Sequence, residues 1–496
     1  MTQAGLDRQV HGVRAHLRGD GGALAAELQA GLARLHADLG LPDGFAPDVV
    51  AAAERATVAP RLPELDRTDL PFLTIDPEGA RDLDQALHLE RAGDGYRVHY
   101  AIADVAAFVT AGDPVDQEAQ HRGETLYGAG SKVPLHPPAI SEGAGSLLVD
   151  QVRPALLWTI DVDAEGEGTR AHVERALVRS RAQLTYDQAQ EVVDGTADHG
   201  LAPELRDALG LLREVGTLRL AREAARGGVS LPLPEQEVDV RGEAWHLEFR
   251  ARLPVEDWNA QISLLTGFAA ASLMVYARVG ILRTLPPPDP RDVRRLHRTA
   301  RALGIAWPAE QLYPDFVRSL DPTVPAHAAM VVACTRLLRG SGYVAFDGEL
   351  PEQPQHAGLA SEYAHVTAPL RRLVDRYGLE VCVALCADEP VPAWVLDALP
   401  GLPATMRESG RRANQYESGV LDVAEAGALA GHVGAELQAV VVEVDDDDPR
   451  RGEVRLVDPA VEARVRGAQP LPLGEEVRVR VVSVDVVGGR VELEAS

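Results

Sequence analysis

The stretch LTIDPEGARDLDQALHLE, Leu73 to Glu90, places Asp76, Asp82 and Asp84 within nine residues, around the turn formers Pro77 and Gly79 and between two apolar runs. Carboxylates crowded in this way repel one another unless a cation, a proton or solvent relieves them. Three readings compete. A solvated loop with an Asp-Pro turn requires nothing further. A calcium loop requires the DxDxDG spacing and a terminal Glu, and neither is present. A magnesium site for phosphoryl chemistry requires a few hard oxygen donors from two chain segments, with water and substrate phosphate completing the shell.

The flanking patterns bear on the choice. FLTI has the composition of a strand that ends at Asp76, and DQALHL resumes β character after the turn. Strand ends would then frame the carboxylates. If the second strand starts by Asp82, a period of two sets Asp82 and Asp84 on one face.

The totals exclude several other chemistries. The chain has 496 residues, 46% of them apolar, and a net charge of −26. Its length argues for roughly three folding units. The acidic balance argues against a nucleic-acid partner unless basic side chains gather locally, because phosphate binding is led by Arg and Lys. Lys132 is the only lysine, so no GxxxxGK[ST] phosphate loop can be written and a Schiff-base lysine is nearly excluded. There is no G-x-S-x-G elbow and no H-E-x-x-H. Cys334, Cys382 and Cys386 show no metal-type pairing with histidines, and their odd number argues against a disulfide framework, so they read as packing residues. No apolar run approaches the ~18 residues of a membrane span, and the N-terminus lacks the basic-then-apolar order of a signal peptide. A cytoplasmic protein without a membrane partner is expected.

Periodicity divides the chain. Residues 1–62 read as a small helical module (VHGVRAHLRG, ALAAELQAGLARLHADLG, APDVVAAAERATV), with a helix-turn-helix as one option. Residues 72–184 read as short strands such as FLTI, YRVHYAIADVAAFV and ALLWTIDVD, and 185–226 as helices. Helical patterns dominate 257–426, broken by LPPPDPRD and by YVAFDGELPEQPQHAG, which reads as a loop. From 431 to 496 five strand patterns with Gly or Pro at the joints predict a five-stranded barrel of the OB kind. The fold class expected is α+β: a mixed domain over 63–430 with a β-rich core and long helices, flanked by the helical module and the barrel.

TIDPEGARDLDQA resembles the signature of the RNase II family of 3′-to-5′ exoribonucleases. YAIADVAAFVTAGDPVDQEAQHRGETLYGAGSKVPLHPPAISEGAGSLLVDQVRPAL is similar to that family's second block, and QHAGLASEYAHVTAPLRRLVDRY to its arginine block, in the same order. The terminal barrel is similar to the ribosomal S-one type of OB-fold that follows the catalytic domain in these enzymes. The resemblance covers roughly 64 to 496. It implies that 63–430 is the catalytic domain and that the activity is Mg²⁺-dependent 3′-to-5′ hydrolysis of single-stranded RNA to nucleoside 5′-monophosphates, with Mn²⁺ as an alternative ion. Asp76, Asp82 and Asp84 would hold the metal with Gln85, and Asp82, Asp84 and Arg371 would carry the chemistry. Tyr127, Tyr186, Arg371 and Arg372 would bind the RNA. For Arg371 the alternative is an ion pair with Asp375 one helical turn away. A monomer is expected.

Three residues depart from the family pattern. Gln85 stands where a fourth aspartate is usual, Ser263 where a glutamate is expected, and a non-aromatic position near Gln236 where an aromatic often stacks on RNA. The helices of 1–62 replace the usual cold-shock barrels. These departures define the rival reading, an RNA-binding protein of the same fold with lost or weak nuclease turnover. Asp445 to Asp448 in the first loop of the terminal barrel would repel phosphate, leaving Arg450, Arg451, Arg455, Arg464, Arg466, Arg478 and Arg480 to form any basic face there.

Overall fold

The computed structural model describes residues 21–496 except 130, 232–234, 242, 243, 251 and 457. The first predicted helix, VHGVRAHLRG, lies outside the described residues. Helix α1 (Gly21–Asp38) carries leucines three and four apart, and α2 (Pro47–Val58) starts with Pro at its first turn. The two do not share a core. Leu28 of α1 is fully buried with residues of the terminal barrel, whereas Val49 and Ala53 of α2 pack against the other end of the chain's β structure.

Strands β1 (Phe72–Ile75), β2 (Gln85–Ala92), β3 (Gly95–Ala103), β6 (Val152–Val162) and β7 (Gly168–Leu184) form a closed barrel in that order, with helix α3 (Pro114–Arg122) and a small hairpin of β4 (Leu126–Gly128) and β5 (Ser131–Val133) inserted between β3 and β6. Neighbours pair antiparallel except at the seam, where β1 runs parallel to β7. Both faces of the sheet are covered. The row Leu87, Tyr100, Trp158, Val173 enters one core and the row Ala86, Ala101, Leu157 another, which is why these strands read as apolar runs rather than as a clean alternation.

Helices α4 (Tyr186–Asp194), α5 (Pro203–Arg226), α6 (Pro254–Ala277) and α10 (Leu373–Cys386) close over the first of these cores. By length and composition α6 is apolar enough to cross a membrane, a run the sequence reading did not register; half of its most apolar window is buried inside the protein, where Ile262, Leu265 and Met274 belong to the core. Hairpin β8–β9 (Glu235–Arg241, Ala244–Arg250) precedes α6. β10 (Val279–Thr284) pairs along its whole length with β11 (Gly342–Asp347), so GYVAFD is a strand where a loop was expected. Six residues are too few to separate a short strand from a loop or a helix fragment by periodicity, and here the partner 58 to 68 positions away decides. Between them α7 (Pro290–Ala302), α8 (Tyr313–Arg318) and α9 (Pro325–Cys334) form a satellite core around Leu296, Phe316 and Met330. The two-residue strands β12 (Gln355–His356) and β13 (Ser361–Glu362) shape the turn before the arginine block, and after α10 come α11 (Ala393–Ala398) and α12 (Leu402–Leu429).

The tail forms the five strands that its pattern predicts: β14 (Glu436–Val444), β15 (Arg451–Leu456), β16 (Glu462–Gly467), β17 (Glu476–Asp485) and β18 (Arg490–Ala495). They close in the order β14-β15-β16-β18-β17 with one parallel pair, β16 and β18, around Val441, Val454, Val479 and Leu493. The barrel's core continues into α1 and α12. Gly31 lies against Val423 and Val486, and Gly427 against Leu28, at distances that leave no room for a β-carbon with the neighbours as placed.

Candidate active site

The seam of the first barrel sets the site. Because β1 and β7 run parallel, with Ile75 level with Leu184, both strands leave the sheet at the same end. Asp76 extends the ladder by one bond, its amide donating to the Leu184 carbonyl at 3.0 Å, and Tyr186 follows β7 as the first residue of α4. Thr185 caps α4 through a reciprocal capping box with Gln188, which fixes the exit of β7.

From Asp76 the chain turns through Pro77 and through Gly79, whose φ of +78° favours glycine. Strand β2 begins only at Gln85, so Asp82 and Asp84 precede the regular pleat and the one-face argument from strand period does not apply. Ser146 holds the loop instead. The Leu83 amide donates to its hydroxyl at 2.9 Å, the hydroxyl donates to the Arg81 carbonyl at 2.6 Å, and the Leu147 amide donates to the Leu83 carbonyl at 3.0 Å. Asp84 is thereby turned inward and is 4% exposed.

The arginine block arrives from far along the chain. The Leu370 amide donates to Asp84 Oδ1 at 2.8 Å and Arg371 Nε lies 3.6 Å from Asp84 Oδ2. Thr125 donates to the Arg371 carbonyl at 2.9 Å, which brings the strand bearing Tyr127 alongside. Tyr127 Oη donates to Asp82 Oδ2 at 3.3 Å. Lys132, from β5 of the same hairpin, lies 2.8 Å from Asp82 Oδ1 and 3.0 Å from Glu142 Oε1. A cleft runs on from Tyr127 and Arg371 past Arg283, Ser341 and Tyr343 to Asn414. Arg283 sits 4.7 Å over the Tyr343 ring and donates to Ser341 Oγ at 3.1 Å.

The electrostatics follow from burial. Loss of solvent pushes the Asp76 carboxyl up to about 7, the Asp82 charge adding to the effect and Arg371 opposing it. Burial likewise pushes Asp84 up to about 8 against the Arg371 charge and the Leu370 hydrogen bond. Burial alone would lower Lys132, but hydrogen bonds and charge from Asp82 and Glu142 raise it above its ordinary range, so it is an ammonium. Burial raises the phenols of Tyr127 and Tyr186, which serve as neutral groups.

Two expected site residues are engaged elsewhere. Arg372 is 3% exposed and its guanidinium lies on Asp375 at 2.8 to 3.2 Å, so it orders the turn rather than offering a free fork to RNA. The Asp375 pairing weighed for Arg371 thus belongs to its neighbour. Gln85 donates from Nε2 to the Thr367 carbonyl at 2.5 Å, and Thr367 shares a hydrogen bond of 2.8 Å with Ser263. Two of the three departures from the family pattern, Gln85 and Ser263, therefore tie β2, α6 and the arginine block together through Thr367. Lys132, Glu142 and Ser146 were not singled out as site residues; the one available signal was that Lys132 is the sole lysine among 49 basic residues.

Among the described residues no group of three or more His, Cys, Asp and Glu side chains is spaced as a ready metal cage. The donor set nonetheless fits a hard divalent cation. Asp76 Oδ2 is buried without a partner, Asp76 and Asp84 are carboxyls held up by desolvation, and oxygen donors suit Mg²⁺ when water and phosphate fill the remaining positions.

Residues 65–381 match the RNB domain, and residues 435–496 match the RNase II-type exonuclease C-terminal S1 domain. The chain belongs to the RNB family. Ribonuclease R of Escherichia coli (strain K12) is 29% identical to this RNB chain over 343 residues, 67% of the chain and 42% of that protein. The chain thus spans less than half the length of that relative. Mycoplasma genitalium RNase R in complex with ribose methylated single-stranded RNA has the same fold, with a TM-score of 0.84 at 18% identity over 95% of this chain and 78% of that one. Yeast Ssd1, a pseudonuclease, is similar with a TM-score of 0.66 at 15% identity, over 88% of this chain and 55% of that one.

Proposed function

We propose that this RNB-family chain is a cytoplasmic 3′-to-5′ exoribonuclease that hydrolyses single-stranded RNA to nucleoside 5′-monophosphates with Mg²⁺. The observation that carries the reading is the meeting of Asp76, Asp82 and Asp84 with Arg371, which itself lines a cleft together with Tyr127 and Arg283. Asp76, Asp82 and Asp84 would hold the cation, which when bound activates water and offsets charge on the scissile phosphate. Arg371 has the planar, permanently charged fork that suits phosphate oxygens, and its Nε is already within 3.6 Å of Asp84. Tyr127 and Tyr186 bracket the carboxylates as neutral phenols suited to packing on a terminal nucleotide. Arg372 acts as a positioning residue, because it locks the turn that presents Arg371.

The test is 5′-labelled single-stranded RNA incubated with Mg²⁺ and resolved on a denaturing gel. Progressive shortening to a small labelled end product supports the reading. Asp84→Asn should lower the rate by about 10²–10³-fold, in the range of a lost transition-state group, and leave RNA affinity within about twofold; joint loss of binding and turnover would mark Asp84 as structural.

Two observations favour the second reading, an RNA binder with little turnover. Lys132 already neutralises Asp82, and Gln85 brings no charge where the family pattern has an aspartate. A gel shift without shortening, at any Mg²⁺ or Mn²⁺ concentration, would establish it.

A further inference from the structure

The terminal barrel's arginines are largely neutralised. Arg450 and Arg451 face Asp448, Arg455 faces Glu462, Arg478 faces Glu436 and Arg480 faces Glu494. Helix α7 differs. PRDVRRLHRTARA holds five arginines against one aspartate, in a chain with 75 acidic and 49 basic residues. At 3.6 residues per turn Arg291, Arg294, Arg298 and Arg301 fall within about a quarter of the helix circumference. All four are exposed, and among the described residues none has an ion-pair partner. Like charges repeated three and four apart destabilise a helix, so the row calls for a polyanion.

The helix is held firmly in place beneath that row. Leu296 and Ala300 are buried with Phe316 and Met330, and the His297 ring stacks on Trp307 at 3.8 Å. On its flank Arg295 pairs with Asp446, which Arg336 also approaches at 3.8 Å. Asp446 of the barrel's acidic loop is thus tied to α7, and Gly474 of the barrel abuts Leu303 just past the helix. At the other end α7 follows β10, whose Arg283 lines the cleft, and Gly340 beside Ser341 lies against Pro286 in the connection. Helix α7 therefore packs on the barrel through Arg295 and Leu303 and follows, a few residues along the chain, the strand whose Arg283 lines the cleft.

We propose that Arg291, Arg294, Arg298 and Arg301 form a phosphate-tracking ledge that holds single-stranded RNA between the terminal barrel and the cleft. The direction of the strand rests on the nuclease reading above; the binding itself does not. The ledge should be invisible to a trinucleotide and important for a long strand.

The experiment compares the full chain with a variant in which all four arginines are replaced by glutamine, titrating a long single-stranded RNA at several salt concentrations. Each phosphate neutralised on a single strand contributes about 0.7 to the slope of log affinity against log salt, so the variant's slope should fall by about 3 and its affinity at low salt by at least about tenfold. Turnover of a trinucleotide should stay at the wild-type level, and a variant with four lysines should keep the salt slope. An unchanged affinity and slope in a folded glutamine variant overturns the ledge, and would be the result if the row served a protein partner. If the fourfold variant does not fold, R294Q and R298Q singly should each lower the slope by about 0.7. A wild-type chain that fails to shorten the long RNA would count against the nuclease reading and leave the salt slopes to decide the ledge.

Discussion

Arg371 and Arg372 are adjacent in sequence and opposite in use. Arg371 is about a fifth exposed and faces Asp84, while Arg372 and Asp375 form a pair in which both partners are almost fully buried. Removing one member of a buried pair leaves the other charge uncompensated, so Arg372→Ala should destabilise the protein by about 3–5 kcal/mol, measured by urea unfolding. Arg371→Ala should cost less stability than Arg372→Ala, because Arg371 is itself partly exposed and lies 3.6 Å from Asp84, while removing turnover. The reverse ranking would make Arg371 the structural member. The sequence allowed an Arg371–Asp375 pair because it assumed a helical spacing of four. Helix α10 begins at Leu373, so Arg371 precedes the first turn and the N-cap residue Arg372 reaches Asp375 instead. The aspartates, Arg371 and the tyrosines were legible because their motifs are local. Lys132 was not, since its contact with Asp82 spans 50 positions and depends on how a hairpin docks.

At the scale of elements, the close approach of α6 to the arginine block depends on one glycine. A β-carbon at Gly267 would lie 2.1 Å from Tyr363 Cε2 and 2.7 Å from the Ala364 carbonyl. Gly267→Ala should therefore destabilise the fold by about 1–3 kcal/mol. It should also slow RNA cleavage by displacing Ser263 from Thr367, whose carbonyl Gln85 contacts. Gly210→Ala in the neighbouring α5 is the control: no atom lies within 4 Å of a β-carbon there, and the exchange should stabilise by about 0.4–1 kcal/mol, read as a higher unfolding midpoint. Most strands of the first barrel were visible as apolar runs. The start of β2 at Gln85 and the β10–β11 pair were not, because Ser146 in the one case and a distant partner strand in the other fix what short patterns leave undetermined.

At the scale of the molecule, the terminal barrel was visible in sequence as a unit, but its shared core with α1 and α12 was not, since such packing has no local signature. Glu425 on α12 sits in that junction. Its carboxylate accepts from Gln236 at 2.7 Å and from the Glu462 amide at 2.9 Å, and burial still pushes it up to about 8. A carboxyl raised in the folded state binds its proton more tightly there than in the unfolded chain. Its contribution is full below about 4.5 and is lost as pH rises through about 8. Glu425→Gln should flatten the fall in stability across that window by on the order of a few kcal/mol, and identical pH profiles in thermal unfolding would refute this. The proposed catalytic pocket itself joins Asp84 to Leu370, 286 positions apart. A ribosome making this polypeptide has finished the acidic loop long before the segment that closes over it, so a half-made chain carries the carboxylates without their arginine.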